Sequence, residues 1–509
     1  MRLLVRATYT DRMDAGAMQF EAVPVPTPDG GPLVVELVPA PDPWDVARRL
    51  AHLPHLLFLD SSEYHPERGR YSYVTADATV WATDALHGLS AMPFADAALM
   101  TNYIRFPTAE GLPPFQGGLA GLFGYGLNRV LEPRVPANRC DEFPSPVLAL
   151  GVYDWVVSFD HRTGRAWLVS TGFDDGDVGD EWERLAQAEY RQGQVLRTLR
   201  SDEARPPCTA SAAPLPASAL CPQRPLPGFP GVTSNFDRAG YEAAVARVVE
   251  YLRAGDCFQV NLSQRLLAPL REHPLDLYGR LRGLNPAPFA GYFDLGDFQV
   301  LSASPERFLR VENGEVETRP IKGTRPRGRT PEEDAALAAE LAASAKERAE
   351  NVMIVDLMRN DLGRVCEYGS VRVPRVCEVE TFRYVHHLVS EVRGRLRPGL
   401  GPLDLLAAAF PGGSVTGAPK VRAMEVIAEL EPTARGPYCG CLGFVGFDGS
   451  MDTNILIRTF TAGRGWVQFP VGGGVVADSD PAREYEETLH KAAGLLRALD
   501  PADPANGPA

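Results

Sequence analysis

"RFLRVENGEVETRP", Arg307 to Pro320, decides the fold class. Apolar and polar residues alternate on both sides of Asn313-Gly314. That dipeptide tolerates the positive φ angles of a tight hairpin, so two antiparallel strands meet here. Upstream, "CFQVNLSQRL" (257–266) and "GYFDLGDFQVLSAS" (291–304) read as strands. Ser234 is placed to cap a helix carrying Tyr241, Val245, Val248 and Leu252 at helical spacing. Downstream, Thr330-Pro331-Glu332-Glu333 forms a capping box that opens an alanine-rich helix to about Ser344. A second helix starts near Lys346 and runs through "NVMIVDLMRNDLG". "YCGCLGFVGFDG", "MDTNILIRTFTAG" and "GWVQFPVGGGVVADS" read as later strands, and a last helix starts near Pro481. Hairpin-joined strands with helices between sets of them predict an α+β fold, not a doubly wound parallel sheet.

The 509 residues suffice for two or three domains. Residues 204–233 are rich in Pro, Ala and Ser and read as an extended linker. It divides residues 1–203, mostly β, from residues 234–499; residues 500–509 read as a frayed tail. In the first part, "RTG" (162–164) is a hairpin connection, and "PPFQGGLAGLFGYGLNR" reads as close-packed backbone without nucleotide-loop spacing. The net charge of −14 argues against broad binding to nucleic acid or anionic membranes. The N-terminus lacks a signal-peptide pattern, and no apolar run is long enough to span a membrane. The eight cysteines are scattered, and Cys439 and Cys441 lack zinc-ligand spacing. A reducing cytoplasm is the expected home.

Several polar groups stand where chemistry is plausible. Glu347 and Glu350 are three apart on one predicted helix, as are Glu484 and Glu487 on another, so each pair shares a face. Each pair is either a solvated face or two oxygen ligands for Mg²⁺. Gly472, Gly473 and Gly474 precede the second pair and either bring bare amides to a ligand or mark a tight strand crossing; Lys491 lies one turn past Glu487. Arg458 sits in the apolar run "ILIRTF", expected inside a strand, where it grips either a carboxylate of a ligand or a structural partner; Tyr438 is placed to assist it. Glu306 follows a proline at a strand end and suits a general acid if burial raises its pKa. One of His386 and His387 must point inward from its strand. Lys322 lies among Arg319, Arg325 and Arg327, which are expected to press it toward its neutral, nucleophilic form; otherwise it is one more surface cation.

Together these motifs resemble a known family. Ser304-Pro305-Glu306, "PIKGTRPRG", "ERAENVMIVDLMRNDLGRV", "HLVSEVRG", "FPGGSVTGAPKVRAMEVI", "GPYCGCLGFVGFDG" and "GGGVVADSDPAREYEET" follow one another in the order found in the chorismate-utilising enzymes. That family includes anthranilate, aminodeoxychorismate, isochorismate and salicylate synthases. "LLFLDSS" and "GRYSYV" extend the likeness more loosely toward the N-terminus. The resemblance implies a sandwich of large, mostly antiparallel sheets with helices outside. It implies Mg²⁺ held by Glu350 and Glu487, with Glu347 and Glu484 beside them, gripping the ring carboxylate of chorismate. Tyr438, Arg458 and the amides of Gly472, Gly473 and Gly474 would hold the enolpyruvyl carboxylate, and Lys491 would lie at the metal end. Glu306 would protonate the hydroxyl leaving ring carbon 4, His387 would face the ring, and Thr324 would join the substrate-binding set.

Two positions bear on which reaction is implied. The water-using members carry a lysine on the strand that here reads "QVNLS"; Gln259 takes its place and is no base at neutral pH, so the expected nucleophile is ammonia. Members reading "PIKGT" use the lysine as a covalent nucleophile, whereas anthranilate-forming members typically read "PIAGT". Lys322 therefore implies amination of chorismate at carbon 4, giving 4-amino-4-deoxychorismate. The anthranilate-forming reaction is the alternative, and an inactive chorismate-binding regulatory subunit is the non-enzymatic one. Cys441 lies in the family's own strand motif and not in an amidotransferase elbow, so ammonia is expected from a separate glutamine amidotransferase subunit.

Overall fold

The computed structural model describes residues 17–500 apart from 66–67, 85–93, 95–96, 98–105, 174–180, 204, 209–211 and 383–384. The N-terminal segment read for targeting signals and the tail from 501 lie outside the described residues.

Two large sheets carry the fold. The first has fourteen strands, ordered in space as β1 (Glu21–Val25), β2 (Leu33–Val38), β9 (Arg165–Ser170), β8 (Trp155–Asp160), β4 (Tyr71–Thr75), β3 (Leu57–Asp60), β13 (Phe289–Asp294), β14 (Phe298–Ser304), β23 (Thr459–Gly463), β24 (Trp466–Val475), β12 (Gln259–Pro269), β11 (Thr233–Ser234) and β10 (Arg224–Pro225). The short β20 (Gly417–Ala418) also pairs with β12. The second has ten, ordered as β17 (Ile321–Pro326), β19 (Val385–Arg395), β16 (Glu315–Thr318), β15 (Arg307–Glu312), β22 (Met451–Asn454), β21 (Cys441–Gly446), β6 (Gly118–Phe123), β7 (Leu148–Tyr153) and β5 (Val80–Asp84), with β18 (Arg372–Thr381) also on β19. All these named strand pairs are antiparallel, and the hairpin at Asn313-Gly314 joins β15 to β16.

Period-two alternation builds the layers. Leu57 faces the space between the sheets with Phe293, Leu442 and Phe444, while its neighbour Phe58 joins the outer core with Leu50, Tyr278 and Phe469. On the far face of the second sheet, Leu309, Val316 and Met451 pack against Ile354, Met358 and Leu362 of the helix Ala345–Gly363. Each fully buried phenylalanine of these cores contributes about 1.5–3 kcal/mol by leaving water. The result is the expected α+β sandwich of antiparallel sheets with helices outside.

Strands from before and after residues 204–233 alternate in both sheets: β3 pairs with β13, and β6 with β21. The compositional boundary is thus a boundary along the chain and not between layers. The Pro/Ala-rich segment follows the body closely, with Leu226 and Cys221 buried and the Trp466 indole donating to the Leu215 carbonyl at 2.8 Å. The helix Arg238–Ala254 is capped by Asp237, whose carboxylate accepts from the Gly240 amide, and not by Ser234, which lies in β11 opposite Leu266 of β12. Thr330 caps Pro331–Ala343 as expected, but the Glu333 carboxylate accepts from the Arg329 amide, one residue before the cap.

The feature that positions the site is a double crossing. β14 and β23 are neighbours in the first sheet, and β15 and β22 are neighbours in the second. The chain passes from β14 to β15 through Ser304-Pro305-Glu306, and from β22 to β23 through Ile455–Arg458. One two-stranded ribbon therefore bends from sheet to sheet. Hydrogen bonds lace the bend: the Ser304 hydroxyl to the Ile455 carbonyl at 2.6 Å, the Ile455 amide to the Glu306 carbonyl at 3.0 Å, and the Ala303 amide to the Arg458 carbonyl at 3.1 Å. Arg458 takes φ of +53°, so it breaks the strand in which the sequence places it, and "MDTNILIRTFTAG" is two strands in two sheets.

Candidate active site

The bend presents Glu306 to an enclosed space. The residue is 5% exposed, and burial pushes its pKa up to about 7, against the opposing pull of a hydrogen bond from the Ser414 hydroxyl and of Lys322. Lys322 enters from β17, and its Nζ donates to the Ser414 carbonyl at 3.1 Å. Burial holds the lysine below its usual range, with Lys491 acting the same way and Glu350 and Glu306 opposing. The arginines around Lys322 in sequence are not the cause. Arg319 binds Glu391 at 2.6 Å, Arg325 binds Glu340 at 2.9 Å, and Arg327 binds Asp334 at 2.7 Å. Each guanidinium is neutralised by an acid from another element, which leaves desolvation to act on the amine.

Gly323 has φ of +79°, and β17 shifts register there, so that Lys322 pairs with Leu388 and Thr324 with His387. A Cβ at 323 would stand 2.9 Å from Glu347 Oε2, so glycine lets that carboxylate lie against the strand. The Thr324 hydroxyl is 2.9 Å from His387 Nδ1. Burial and the charge of Arg68 lower the His387 pKa to about 4, so its imidazole is neutral at pH 7. His386 is the more deeply buried of the two, but it is taken up by Asp334 at 2.8 Å and Thr381 at 2.9 Å.

Carboxylates from two helices converge on the same space. Burial raises Glu350, with Glu347 and Glu487 adding to the effect. Glu484 is raised by burial and by Glu487, while accepting from the Ser479 hydroxyl at 2.6 Å. Burial pushes Glu487 up, but Lys491 at 2.6 Å, together with Lys346 and Lys322, leaves its pKa lowered. Cations already serve these acids: Lys346 lies 3.8 Å from Glu350, and Arg325 lies 3.6 Å from Glu347. As they stand, no three acids or imidazoles form a close ligand group among the described residues. The donor chemistry nevertheless suits a hard divalent ion: oxygen ligands on two helices, with Glu350 and Glu484 raised by burial and, in lesser part, by neighbouring carboxylates.

The glycines lie in strand β24 and not in a loop. β23 covers β24 only as far as Gln468. Opposite Gly472, the Ser263 amide turns to Glu431, and opposite Gly474, the Asn261 amide turns to Thr416. Both are therefore pairs whose backbone groups point away from each other. The Gly472 carbonyl accordingly accepts from Lys491 Nζ at 2.9 Å, on the edge that β23 leaves free, and the amides of Gly472 and Gly474 share that edge. A Cβ at Gly473 would stand 3.1 Å from Glu484 and 3.4 Å from Glu487. Arg458 donates to the Lys491 carbonyl and has no carboxylate partner among the described residues; Tyr438 is its buried neighbour. Gln259 is 1% exposed, with its amide against Gly474.

The structure thus brings Glu306, Lys322, Glu350, Glu487, Lys491, Arg458 and the glycine edge to one seam. Sequence reasoning missed Ser414 and Asn261. Ser414 lies inside a motif quoted only for its family resemblance, and Asn261 is two residues from Gln259 on the same strand face. A separate cavity of about 390 Å³ lies between the sheets, where Tyr71, Phe289 and Phe444 face Arg307 and Asp452.

A carboxyl raised to about 7 beside a desolvated amine, with a guanidinium nearby that meets no carboxylate among the described residues, is an arrangement for acid-assisted chemistry on a small anion, and so for an enzyme. Which enzymes these are follows from comparison: a family described as chorismate binding enzyme matches residues 57–497. The chain belongs to that family. It is 44% identical to anthranilate synthase component 1 of Thermus thermophilus, over 77% of this chain and 79% of that one. It is 40% identical to aminodeoxychorismate synthase component 1 of Salmonella typhimurium, over 88% of this chain and 94% of that one. The crystal structure of anthranilate synthase component I from Streptococcus pneumoniae superposes with a TM-score of 0.70 at 33% identity, covering 86% of this chain and 93% of that one. Identity to the two kinds of relative is similar and does not choose between their reactions.

Proposed function

We propose that the chain is an aminodeoxychorismate synthase, converting chorismate and ammonia to 4-amino-4-deoxychorismate. The observation that carries this reading is the meeting of the Lys322 amine with the Glu306 carboxyl at the seam, the amine lowered and the acid raised toward neutrality. Lys322 attacks ring carbon 2, both ring double bonds shift, and the hydroxyl on carbon 4 leaves as water with the Glu306 proton. The attached nitrogen returns a proton to Glu306. Ammonia then bonds to carbon 4, the double bonds shift back, and Lys322 leaves carbon 2 as a neutral amine, its nitrogen taking the proton from Glu306, which the new ammonium group at carbon 4 gives back. The balance is chorismate plus ammonia giving the amine plus water.

In this reading Arg458, Tyr438 and the amides of the glycine edge bind the enolpyruvyl carboxylate. Glu350 and Glu487, with Glu347 and Glu484, would hold Mg²⁺, which when bound supplies positive charge for the ring carboxylate. His387, being neutral, offers a hydrogen bond to the ring without adding charge. The relatives' names carry "component 1", which supports a second subunit, and we assign that subunit the release of ammonia from glutamine. We assign the product to a route toward 4-aminobenzoate and folate.

The test is product identification by mass spectrometry with chorismate, Mg²⁺ and an ammonium salt. The expected product is 4-amino-4-deoxychorismate. Wild type given chorismate without ammonia should gain the mass of chorismate less one water, on the peptide holding Lys322. Lys322→Ala should shift residual product toward anthranilate. A wild type that makes anthranilate alone, or an alanine variant with unchanged product and rate, overturns the reading.

A further inference from the structure

Lys322 and Glu306 meet at one residue: the Ser414 carbonyl accepts from Lys322 Nζ at 3.1 Å, and the Ser414 hydroxyl hydrogen-bonds to the Glu306 carboxyl. Ser414 sits in the loop 410–419, between the helices Pro402–Ala409 and Lys420–Leu430. The second half of that loop rests on β12 and its surroundings. Gly417-Ala418 pairs with β12 as β20, the Asn261 amide donates to the Thr416 carbonyl at 2.8 Å, and Arg435 donates to the Val415 carbonyl at 3.0 Å. The first half faces the helix Ala345–Gly363, where a Cβ on Gly413 would stand 2.4 Å from Leu357.

Lys420 ties that first half down. Its Nζ donates to the Ala409 carbonyl at 2.5 Å and to the Asp361 carboxylate at 2.7 Å. Ala409 and Lys420 flank the loop, so the first bond closes its base. The second fastens the base to the helix Ala345–Gly363, which carries Asp361. The Lys420 and Asp361 side chains are 12% and 4% exposed. Its own helix gives no reason for a cation here: Lys420 is the first residue of Lys420–Leu430, at the positive end of that dipole. The cation instead serves the last carbonyl of Pro402–Ala409, at a negative end. A buried ion pair adds little net stability over apolar side chains of like size, yet it is strict in geometry. We propose that Lys420, paired with Asp361, is a positioning residue: it fixes the base of the loop and so holds Ser414 where it meets both the amine and the acid. The inference rests on the reading above, in which Lys322 and Glu306 react with chorismate.

The experiment compares Lys420→Met, the double variant Lys420→Met/Asp361→Leu and wild type. Chorismate consumption is followed across pH with saturating Mg²⁺ and a constant concentration of neutral ammonia, and unfolding is followed in denaturant. Lys420→Met should lower kcat about ten- to hundredfold, the cost of misplaced reacting groups. The KM for chorismate should stay within about twofold, since Arg458, Tyr438 and the glycine edge lie on other segments. The falling arm of the pH profile should move up by about half to one unit, because Glu306 loses the Ser414 hydrogen bond that lowers its pKa. Lys322, Arg68 and the Ile321 amide also face Glu306 and lower it, and they remain. The double variant leaves no charge unpaired and should recover most of the lost stability, but neither the turnover nor the position of the arm, since the bond to Ala409 is still missing. Arg191→Met breaks a buried pair with Asp154 on the helix Glu181–Arg200, which carries no residue of the site, and should cost stability without moving kcat or the arm. An unchanged kcat or an unmoved arm in Lys420→Met, or a double variant that regains wild-type turnover, overturns the proposal. If Lys420→Met fails to fold, the double variant decides. Failure of the functional reading shows separately, as a wild-type product other than 4-amino-4-deoxychorismate.

Discussion

Glu306→Gln tests the acid directly. The shift of Glu306 from 4.5 to about 7 corresponds to a preference of about 3 kcal/mol for the neutral carboxyl. At pH 6 about nine in ten sites then carry the proton, and at pH 8 about one in ten. An anionic substrate pushes the pKa further in the same direction. A group that must donate its proton works below its pKa, so turnover should fall about tenfold per pH unit once the pH exceeds that value. Lys322 and ammonia act in the opposite sense, since both must be neutral, and they supply the rising arm at lower pH. Holding the concentration of neutral ammonia constant across the series removes its share of that arm. Glutamine keeps the volume but donates no proton, so the variant should lose about 10²–10⁴ in turnover and its falling arm. A second readout is independent of catalysis. A carboxyl whose folded pKa is raised holds its proton more tightly when folded than unfolded, so its ionisation destabilises the fold as pH rises from 4.5 through about 7. Above that range Glu306→Gln should be more stable than wild type in denaturant titration, by up to about 3 kcal/mol, and the two should converge near pH 4. A variant that keeps the falling arm, or keeps more than about a tenth of the turnover, refutes the assignment of Glu306 as the acid.

Arg458→Ala should raise the KM for chorismate about ten- to hundredfold, the worth of a charge-assisted hydrogen bond of about 1.5–3 kcal/mol; an unchanged KM makes its bond to the Lys491 carbonyl its whole role. Activity should vanish in a metal chelator and return with Mg²⁺, and Glu350→Gln should lose most turnover at an unaltered unfolding temperature; full activity in chelator removes the metal. Arg435→Met leaves Glu431 buried without the guanidinium that lies 2.6 Å away, and also frees the carbonyls of Val415 and Asn261, so it should cost about 3–5 kcal/mol in denaturant titration; a loss under about 1 kcal/mol contradicts a buried pair.

What the sequence made legible was local. Asn313-Gly314 turns a hairpin, Thr330 caps a helix, and Glu487 meets Lys491 one turn on, because each pattern closes within a few residues. What it hid depends on partners far along the chain. "ILIRTF" has the composition of one strand, yet Arg458 leaves it, because the neighbouring ribbon turns at Pro305 and hydrogen bonds from Ala303 and Ser304 carry the second chain round the same bend. The arginines beside Lys322 look like a cationic cluster until Glu391, Glu340 and Asp334 arrive from other elements. Asn261 and Ser414 carry no signal of spacing, since what joins them is one contact to a carbonyl across 153 residues.

These failures have a common cause, and it bears on how the site works. Sheets of this size are rigid, and a strand alone presents its side chains only to one face or the other. The bend breaks that rule by exposing backbone and side chains at a sheet edge. It places Glu306 on one chain and Arg458 on the other, linked by the Ile455 amide to the Glu306 carbonyl at 3.0 Å. Acid and guanidinium therefore cannot move independently: a shift of one crossing strains three hydrogen bonds to the other. A substitution at Ser304, which donates to the Ile455 carbonyl at 2.6 Å and touches no substrate, thereby reaches both groups at once. Ser304→Ala should accordingly lower turnover and weaken chorismate binding together, whereas Arg458→Ala should act chiefly on binding and Glu306→Gln chiefly on turnover. Steady-state kinetics on the three variants separate the cases. If Ser304→Ala moves only one constant, the crossings are not coupled, and the site is two sites that happen to adjoin.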